Sequence, residues 1–402
     1  MQIATDVRAA VIAAGEPTAP QRAIRDAGFD VEVIRAAAAL DGVAAEWQAL
    51  ERLTHASAVF QSHAQLRIWA RHFIPSEGGH IRLHVAIVRK NGRPVLILPL
   101  VISGSPLLRV ARMAGDPIAQ YSEILVDPAL ATHGAFDAAL RSVKAAGADV
   151  IVLRRLRDDS PLLDLAQSYL RPPTERQSAP SADLSGFADH KAFLASLSKK
   201  VRRALTHRKH HLDRAGEHAF EFMHGGKEAR TAIAEAIDLK RKWLIQRGAL
   251  SSAFVDPATR ECLLDLAGNA ASGAVVLRLL VNGEPAAFRF GFEHGGTHFA
   301  YMSAYDERFA DVSPGKLLME FCVSGFRERG MERLDMLAPA GKHKSEWCRE
   351  EIGVGDYSLP LTRAGRLYAD LYQTRLRPAL AKVWHSMPTT LRSLATTLFV
   401  RI

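Results

Sequence analysis

A chain of 402 residues, 48% hydrophobic and 24% charged, is long enough for two cores and has an ordinary globular composition, which excludes a largely disordered or fibrous protein. No run of about 20 apolar residues occurs, so a membrane-spanning helix is not expected, and the opening MQIATDVRAAVIAAGE lacks the basic, apolar, cleavable pattern of an export signal. The net charge of +9 is concentrated, with eight Lys or Arg against one acid over 191–214 and seven against one over 361–402; such clusters point to anionic partners.

In chain order, residues 1–40 are Ala-rich and read as a peripheral extension leading into a strand over 29–34. The segment AVFQSHAQLRIWARHF places Phe60, Leu66, Trp69 and Phe73 for one helical core face, which ends at Pro75. In LHVAIVRKNGRPVLILPLVIS, apolar and β-branched residues flank Asn91 and Gly92, a hairpin signal because both residue types accept positive φ. A strand over 122–126, a helix over 135–145 and a strand over 148–153 complete the first half. The stretch over 168–187, rich in Pro and Ser, is expected to carry the chain between halves.

The second half starts with basic helical sequence over 187–212, then a helix over 227–247 with Ile233, Ile237, Trp243 and Leu244 as core candidates, and a further helix before Gly268. Strands are expected over 275–281, 286–292 and 298–305, followed by a loop, the helix LLMEFCVSGFRERG and a strand over 332–337. The fragments RKNGRPVLILP and LVNGEPAAFRF align Asn91 with Asn282, Gly92 with Gly283 and Pro94 with Pro285. An internal duplication is therefore expected.

In YMSAYDERFADVSPGKLLMEF a strand feeds Ser313, Pro314 and Gly315 directly before a helix. Ser can cap such a start, Pro is tolerated where an amide is spare, and Gly leaves room for a ligand at the first turn, an arrangement that suits phosphate. Lys316 adds a cation. Neither a nucleotide-triphosphate loop nor a three-glycine dinucleotide fingerprint is present. His207, His210 and His211 lack a carboxylate at a metal-site spacing, so no metal is assigned. Cys262, Cys322 and Cys348 are too few and too far apart for a zinc knuckle or disulfide framework and are expected as buried thiols.

Five ordered pieces, LSKKVRRALTHRKHHLDRAG, DLKRKWLIQRG, EPAAFRFGF, AYDERFADVSPGKLLME and RLDMLAPAGKHKSEW, resemble the GNAT-fold acyltransferases. The resemblance is to the bacterial CelD-like group, whose tandem arrangement is related to the FemAB aminoacyl transferases. It runs roughly over 59–368 and is strongest over 193–347. It implies an α/β fold of two tandem GNAT-like domains with mixed central sheets flanked by helices. The expected divisions are an N-terminal extension (1–40), an N-terminal domain (41–175), a catalytic C-terminal domain (187–360) and a basic amphipathic tail (361–402).

By the same resemblance, Ser313, Pro314, Gly315 and Lys316 would receive the pyrophosphate of acyl-CoA, a co-substrate and not a tightly bound cofactor. The preceding strand would splay to offer amides to the thioester carbonyl. The family's Tyr-Lys-x-x-aromatic ending reads here His343, Lys344 and Trp347.

Acyl transfer needs a base, donors for the developing oxyanion and an acid for the leaving sulfur. His343 is the candidate base, with Glu293 and His294 as alternatives. Asp335 would orient His343 or neutralise Lys344, and Tyr305 would protonate or position the sulfur. Lys344, Arg203 in the basic helix and Trp243 are the expected substrate contacts.

The expected function is an acyl-CoA-dependent N-acyltransferase acting on an amine or hydroxyl of a lipid, amino sugar or other envelope precursor. Aminoacyl transfer from charged tRNA, and a non-catalytic membrane-associated binding protein, stay open beside it. The expected location is cytoplasmic. In the tail, Leu367, Leu371, Leu380 and Trp384 alternate with Arg366, Arg375, Arg377 and Lys382; lying on an acidic membrane surface and packing across the halves both remain open.

Overall fold

The computed structural model describes residues 22–26, 28–75, 80–246, 254 and 256–376. Residues 1–21 of the expected extension and 377–402 of the expected tail, with Arg377, Leu380, Lys382 and Trp384, lie outside the described residues.

The first half opens with strands β1 (Arg22–Asp26) and β2 (Phe29–Ile34), then helices α1 (Ala44–Glu51) and α2 (His63–Phe73). Helix α2 starts where the Ser62 side chain accepts from the Gln65 amide, and it buries Leu66, Ile68 and Trp69. Strands β3 (Ile81–Lys90) and β4 (Arg93–Ser105) form the expected hairpin, with Asn91 and Gly92 at φ of 53° and 78°. Next come β5 (Leu108–Met113), β6 (Leu125–Val126), α3 (His133–Ala145), β7 (Val150–Arg157), α4 (Pro161–Ala166) and β8 (Glu175–Asp183).

The second half continues with α5 (His190–Ser196), α6 (Lys199–Ala215), β9 (His218–Met223), α7 (Gly226–Gln246) and α8 (Pro257–Gly268). The hairpin of β10 (Ala274–Val281) and β11 (Glu284–His294) repeats the first, with Asn282 and Gly283 at φ of 52° and 80°. Then follow β12 (Thr297–Tyr305), α9 (Pro314–Ser324), β13 (Arg333–Asp335), α10 (Lys342–Ser345), β14 (Glu350–Pro360) and α11 (Arg363–Leu367).

All strands join one sheet in the order β1-β2-β3-β4-β5-β7-β14-β8-β13-β12-β11-β10-β9, with β6 on β4. Among the described residues only β5–β7 and β12–β13 are parallel. The layout is therefore two similar halves set back to back, each with an antiparallel meander closing on one parallel pair. At the centre the halves exchange strands. The last sheet strand, β14, lies against β7 of the first half, and β8 lies against β13 of the second.

Two sequence expectations need correction. Residues 168–187 are not only a connection, because they contain β8. Its buried residues are Ala179, Pro180, Ser181 and Ala182, too small to give an apolar strand signal. The strand expected over 122–126 shrinks to Leu125–Val126, because side chains hold the residues before it. Ser122 donates to the Arg154 carbonyl, and the Glu123 carboxyl accepts from Ser57 and Ser160.

An aromatic cluster joins the halves. The ring of Phe60 meets Phe292 at 5.6 Å, Phe299 at 5.9 Å and Tyr121 at 6.0 Å. Burial of a side chain of this size contributes about 2–3 kcal/mol. His72 on α2 reaches Asp265 on α8 at 2.8 Å. The described start of the tail packs on the first half, where Tyr368 adjoins Val110, Val150 and Val152, and leaves Leu367 and Leu371 exposed. No helix among the described residues is long and apolar enough to cross a membrane.

Candidate functional site

Strand β12 is zipped to β13 across only three pairs, Thr297↔Arg333, His298↔Leu334 and Phe299↔Asp335. On its other edge it stays paired with β11 as far as Tyr305, with a register shift that leaves Tyr301 unopposed. A bulge of this kind bends its strand and increases the local twist. Beyond Phe299 the two strands therefore part, and the β13-facing edge of β12 has no strand partner among the described residues.

A cavity of about 270 Å³ opens in this wedge, and its lining includes Tyr305, Ser313, Pro314, Gly315, Lys316, His343 and Trp347. Strand β12, the 313–316 turn and the 343–347 segment are thus brought together. At its mouth stands the start of α9, where Pro314 has no amide hydrogen, the Lys316 amide donates to the Ser313 carbonyl at 3.0 Å, and the Gly315 amide has no acceptor among the described residues. Ser313 does not cap this helix as expected; it adopts left-handed backbone, φ 51°, and its side chain makes no capping bond. A Cβ added at Gly315 would meet nothing within 4 Å, so the first turn faces open space. Lys316 is paired with Glu346 at 2.5 Å.

His343 lies on α10, and burial, followed by the charges of Lys344 and Arg289, holds its pKa below the usual 6.5. A neutral imidazole at pH 7 is the form that accepts a proton. Lys344 donates to the Leu337 and Pro339 carbonyls at 2.8 Å each, which fastens the loop after β13 to α10. Burial lowers its pKa. Trp347 is buried beside Met336 and forms part of the cavity wall.

Asp335 does not take the position expected of it. It makes no hydrogen bond or ion pair with His343 or Lys344, although its charge opposes the burial effect on Lys344. Its fully buried carboxylate is paired with Arg157 and accepts from the Tyr121 hydroxyl at 2.9 Å and the Leu337 amide at 2.7 Å. It is a junction between the halves. Arg203 is exposed on α6 and Trp243 is half-buried on α7, where Lys240 sits 4.6 Å from its ring. Neither lines the cavity. Glu293 is bound to His298 and Arg329, and His294 also stays outside the cavity.

A second cavity, about 340 Å³, lies between the halves. Its lining takes Gln120 from the first half, Lys240 from α7, Thr259 from α8 and Tyr301 from the bulge. It shares Arg289, Ser303, Met336 and His343 with the first, so the two chambers meet at these four residues. Sequence reasoning missed Arg289, Tyr301 and Lys240. The signal for Arg289 was a cation between Phe288 and Phe290 in a strand buried on both faces. Among the described residues no group of three or more His, Cys, Asp or Glu could hold a metal ion.

Residues 199–345 match a family model described as an acetyltransferase (GNAT) domain. No curated protein matches significantly. Among solved structures, FemX is similar at 10% identity and a TM-score of 0.58, covering 81% of this chain and 97% of that one. L-PGS from Bacillus licheniformis is similar at 11% identity and a TM-score of 0.50, with 82% and 95% coverage. A conserved protein of unknown function from Bacteroides thetaiotaomicron gives 10% identity and 0.52, with 79% and 97% coverage. With its two meanders, its paired parallel strands and the match over the second half, the chain has the fold of two tandem GNAT-like domains.

Proposed function

We propose that this protein transfers an acyl group from a thioester donor to an amine or hydroxyl acceptor. The observation that carries the reading is the wedge between β12 and β13, which opens at the Gly315 turn of α9, where a side chain would meet nothing, and has an imidazole in its wall. The donor's phosphates would lie at Ser313–Lys316 and its arm along β12, with the acceptor entering through the second cavity. His343 takes the acceptor's proton as the new bond forms at the carbonyl carbon. Amides on the free edge of β12 over 302–305 stabilise the oxyanion, and Tyr305 returns a proton to the departing sulfur.

Asp335 acts in this scheme as a positioning residue through the Leu337 amide, with Lys344 clamping the same loop. Trp243 supports Lys240, and Arg203 supplies attractive charge on the outer face of α6. A lipid, amino sugar or other envelope precursor as acceptor follows from the CelD-like resemblance. Division into folding units near 168–187 belongs to the same proposal.

A second reading, aminoacyl-tRNA as donor, draws support from the structural likeness to FemX and to an L-PGS and from the basic helix α6. Titration with coenzyme A and with bulk tRNA separates the two donors. Micromolar coenzyme A binding that is lost in Gly315→Leu supports the thioester reading. Salt-sensitive tRNA binding without coenzyme A binding supports the other. Binding of neither, with no product by mass spectrometry from acyl thioesters plus a lipid extract, leaves a non-catalytic protein and refutes both.

A further inference from the structure

Arg289 stands in the middle of β11, opposite Ser303 of β12, and is 9% exposed. Its guanidinium makes no hydrogen bond or ion pair with any described residue. The comparison within the same sheet is Arg157, 2% exposed, whose guanidinium is taken up by Asp159 and Asp335. Withdrawing a charge from bulk water without a protein partner is costly, and the Arg289 guanidinium is open only toward the cavities. Its side chain walls both cavities where they join.

The surroundings accentuate that charge. Neither cavity has an Asp or Glu among its described lining residues. The second also carries Lys240 and Lys344, of which Lys344 already serves two carbonyls. Arg289 helps to depress the pKa values of both His343 and Lys344, and the other titratable groups that act on it are the thiols of Cys322 and Cys348. The guanidinium's planar fork of donors matches a carboxylate or phosphate.

We infer that Arg289 anchors an oxyanion of the acceptor substrate, so that the acceptor bears a carboxylate or phosphate in addition to the group that is acylated. Assignment to the acceptor rests on the transferase reading, in which the donor's phosphates lie at the other end of the first cavity. The excess of cations on the second chamber's side is what favours the acceptor.

The test uses full-length wild type, Arg289→Met and Arg289→Lys. In the donor-free protein, calorimetric titration with inorganic phosphate and with acetate should show binding that weakens roughly tenfold or more in Arg289→Met, with Arg289→Lys intermediate. The coenzyme A Kd should stay within about twofold. Arg289→Met should melt at an unchanged or higher temperature, since it removes an unpaired buried charge; a purely structural arginine would lower it. Unchanged phosphate and acetate affinity in Arg289→Met overturns the inference.

In transfer assays with acetyl-CoA, O-phosphoethanolamine is compared with ethanolamine, and β-alanine with its amide. Wild type should prefer the anionic member of at least one pair, which tells phosphate from carboxylate, and Arg289→Met should abolish the preference through KM. Equal losses on charged and neutral amines overturn the inference, and so does a preference that follows succinyl-CoA over acetyl-CoA instead. If coenzyme A fails to bind while anion binding still depends on Arg289, the thioester reading falls and the anion site stands.

Discussion

Replacing Asp335 by Asn removes one charge from a pair enclosed on every side. Asp335 and Arg157 have side-chain exposures of 0% and 2%, and the other carboxylate on Arg157, Asp159, is 41% exposed. Asn keeps one oxygen for the Tyr121 hydroxyl and the Leu337 amide, but the oxygen that accepts from Arg157 becomes an NH2 group, so the charge and the hydrogen bond to Arg157 are lost together. Leaving one member of a buried pair uncompensated costs about 3–5 kcal/mol, and Asp159, in partial contact with water, should return only a small part of it. Urea unfolding followed by fluorescence measures the change, and a double-mutant cycle with Arg157→Met isolates the coupling. The double variant should be less destabilised than the sum of the singles. A cost under about 1 kcal/mol for Asp335→Asn would mean that Asp159 alone satisfies Arg157, and the proposed role of this pair in joining the halves would be wrong.

Because the pKa of His343 is held below 6.5, kcat/KM for transfer should rise with pH up to that depressed value and stay level above it. His343→Ala should lower kcat by about 10²–10⁴-fold and remove the acid limb; an acid limb that survives assigns it to another group. Gly315→Leu enters open space and should keep its melting temperature while coenzyme A binding weakens, so a loss of stability would contradict the geometry. Burial raises the pKa of Glu123 to about 7, so the folded state holds its proton more tightly than the unfolded chain. That stabilisation is complete below about 4.5 and is lost as pH rises through about 7. Glu123→Gln should accordingly gain on wild type in melting temperature between pH 5 and 8, and parallel curves for the two proteins would refute it.

Legibility followed locality. The two Asn-Gly hairpins could be read because few residues tolerate positive φ, and all four positions adopt it. Helix α2 and the helix start at Pro314 were likewise carried by residues close in sequence. The exchange of β8 and β14 was not readable, since a strand's own pattern does not name its neighbour and β8 buries only small side chains. Asp335 was conspicuous as an acid among apolar residues, yet its true partner is Arg157, 178 positions away. Arg289 was visible as a cation between two phenylalanines, but its meaning depends on cavities assembled from both halves.

The crossed placement of β8 and β14 interlocks the chain. A protease nick over 184–189 would leave each fragment holding a strand that completes the other, with the bare backbones of β7 and β13 as adhesive edges. Fragments made separately should precipitate or pair with foreign copies, whereas co-expressed fragments should reassemble. Truncation upstream of residue 350 damages the half that was synthesised first, so translation must run through Pro360 before the sheet is finished.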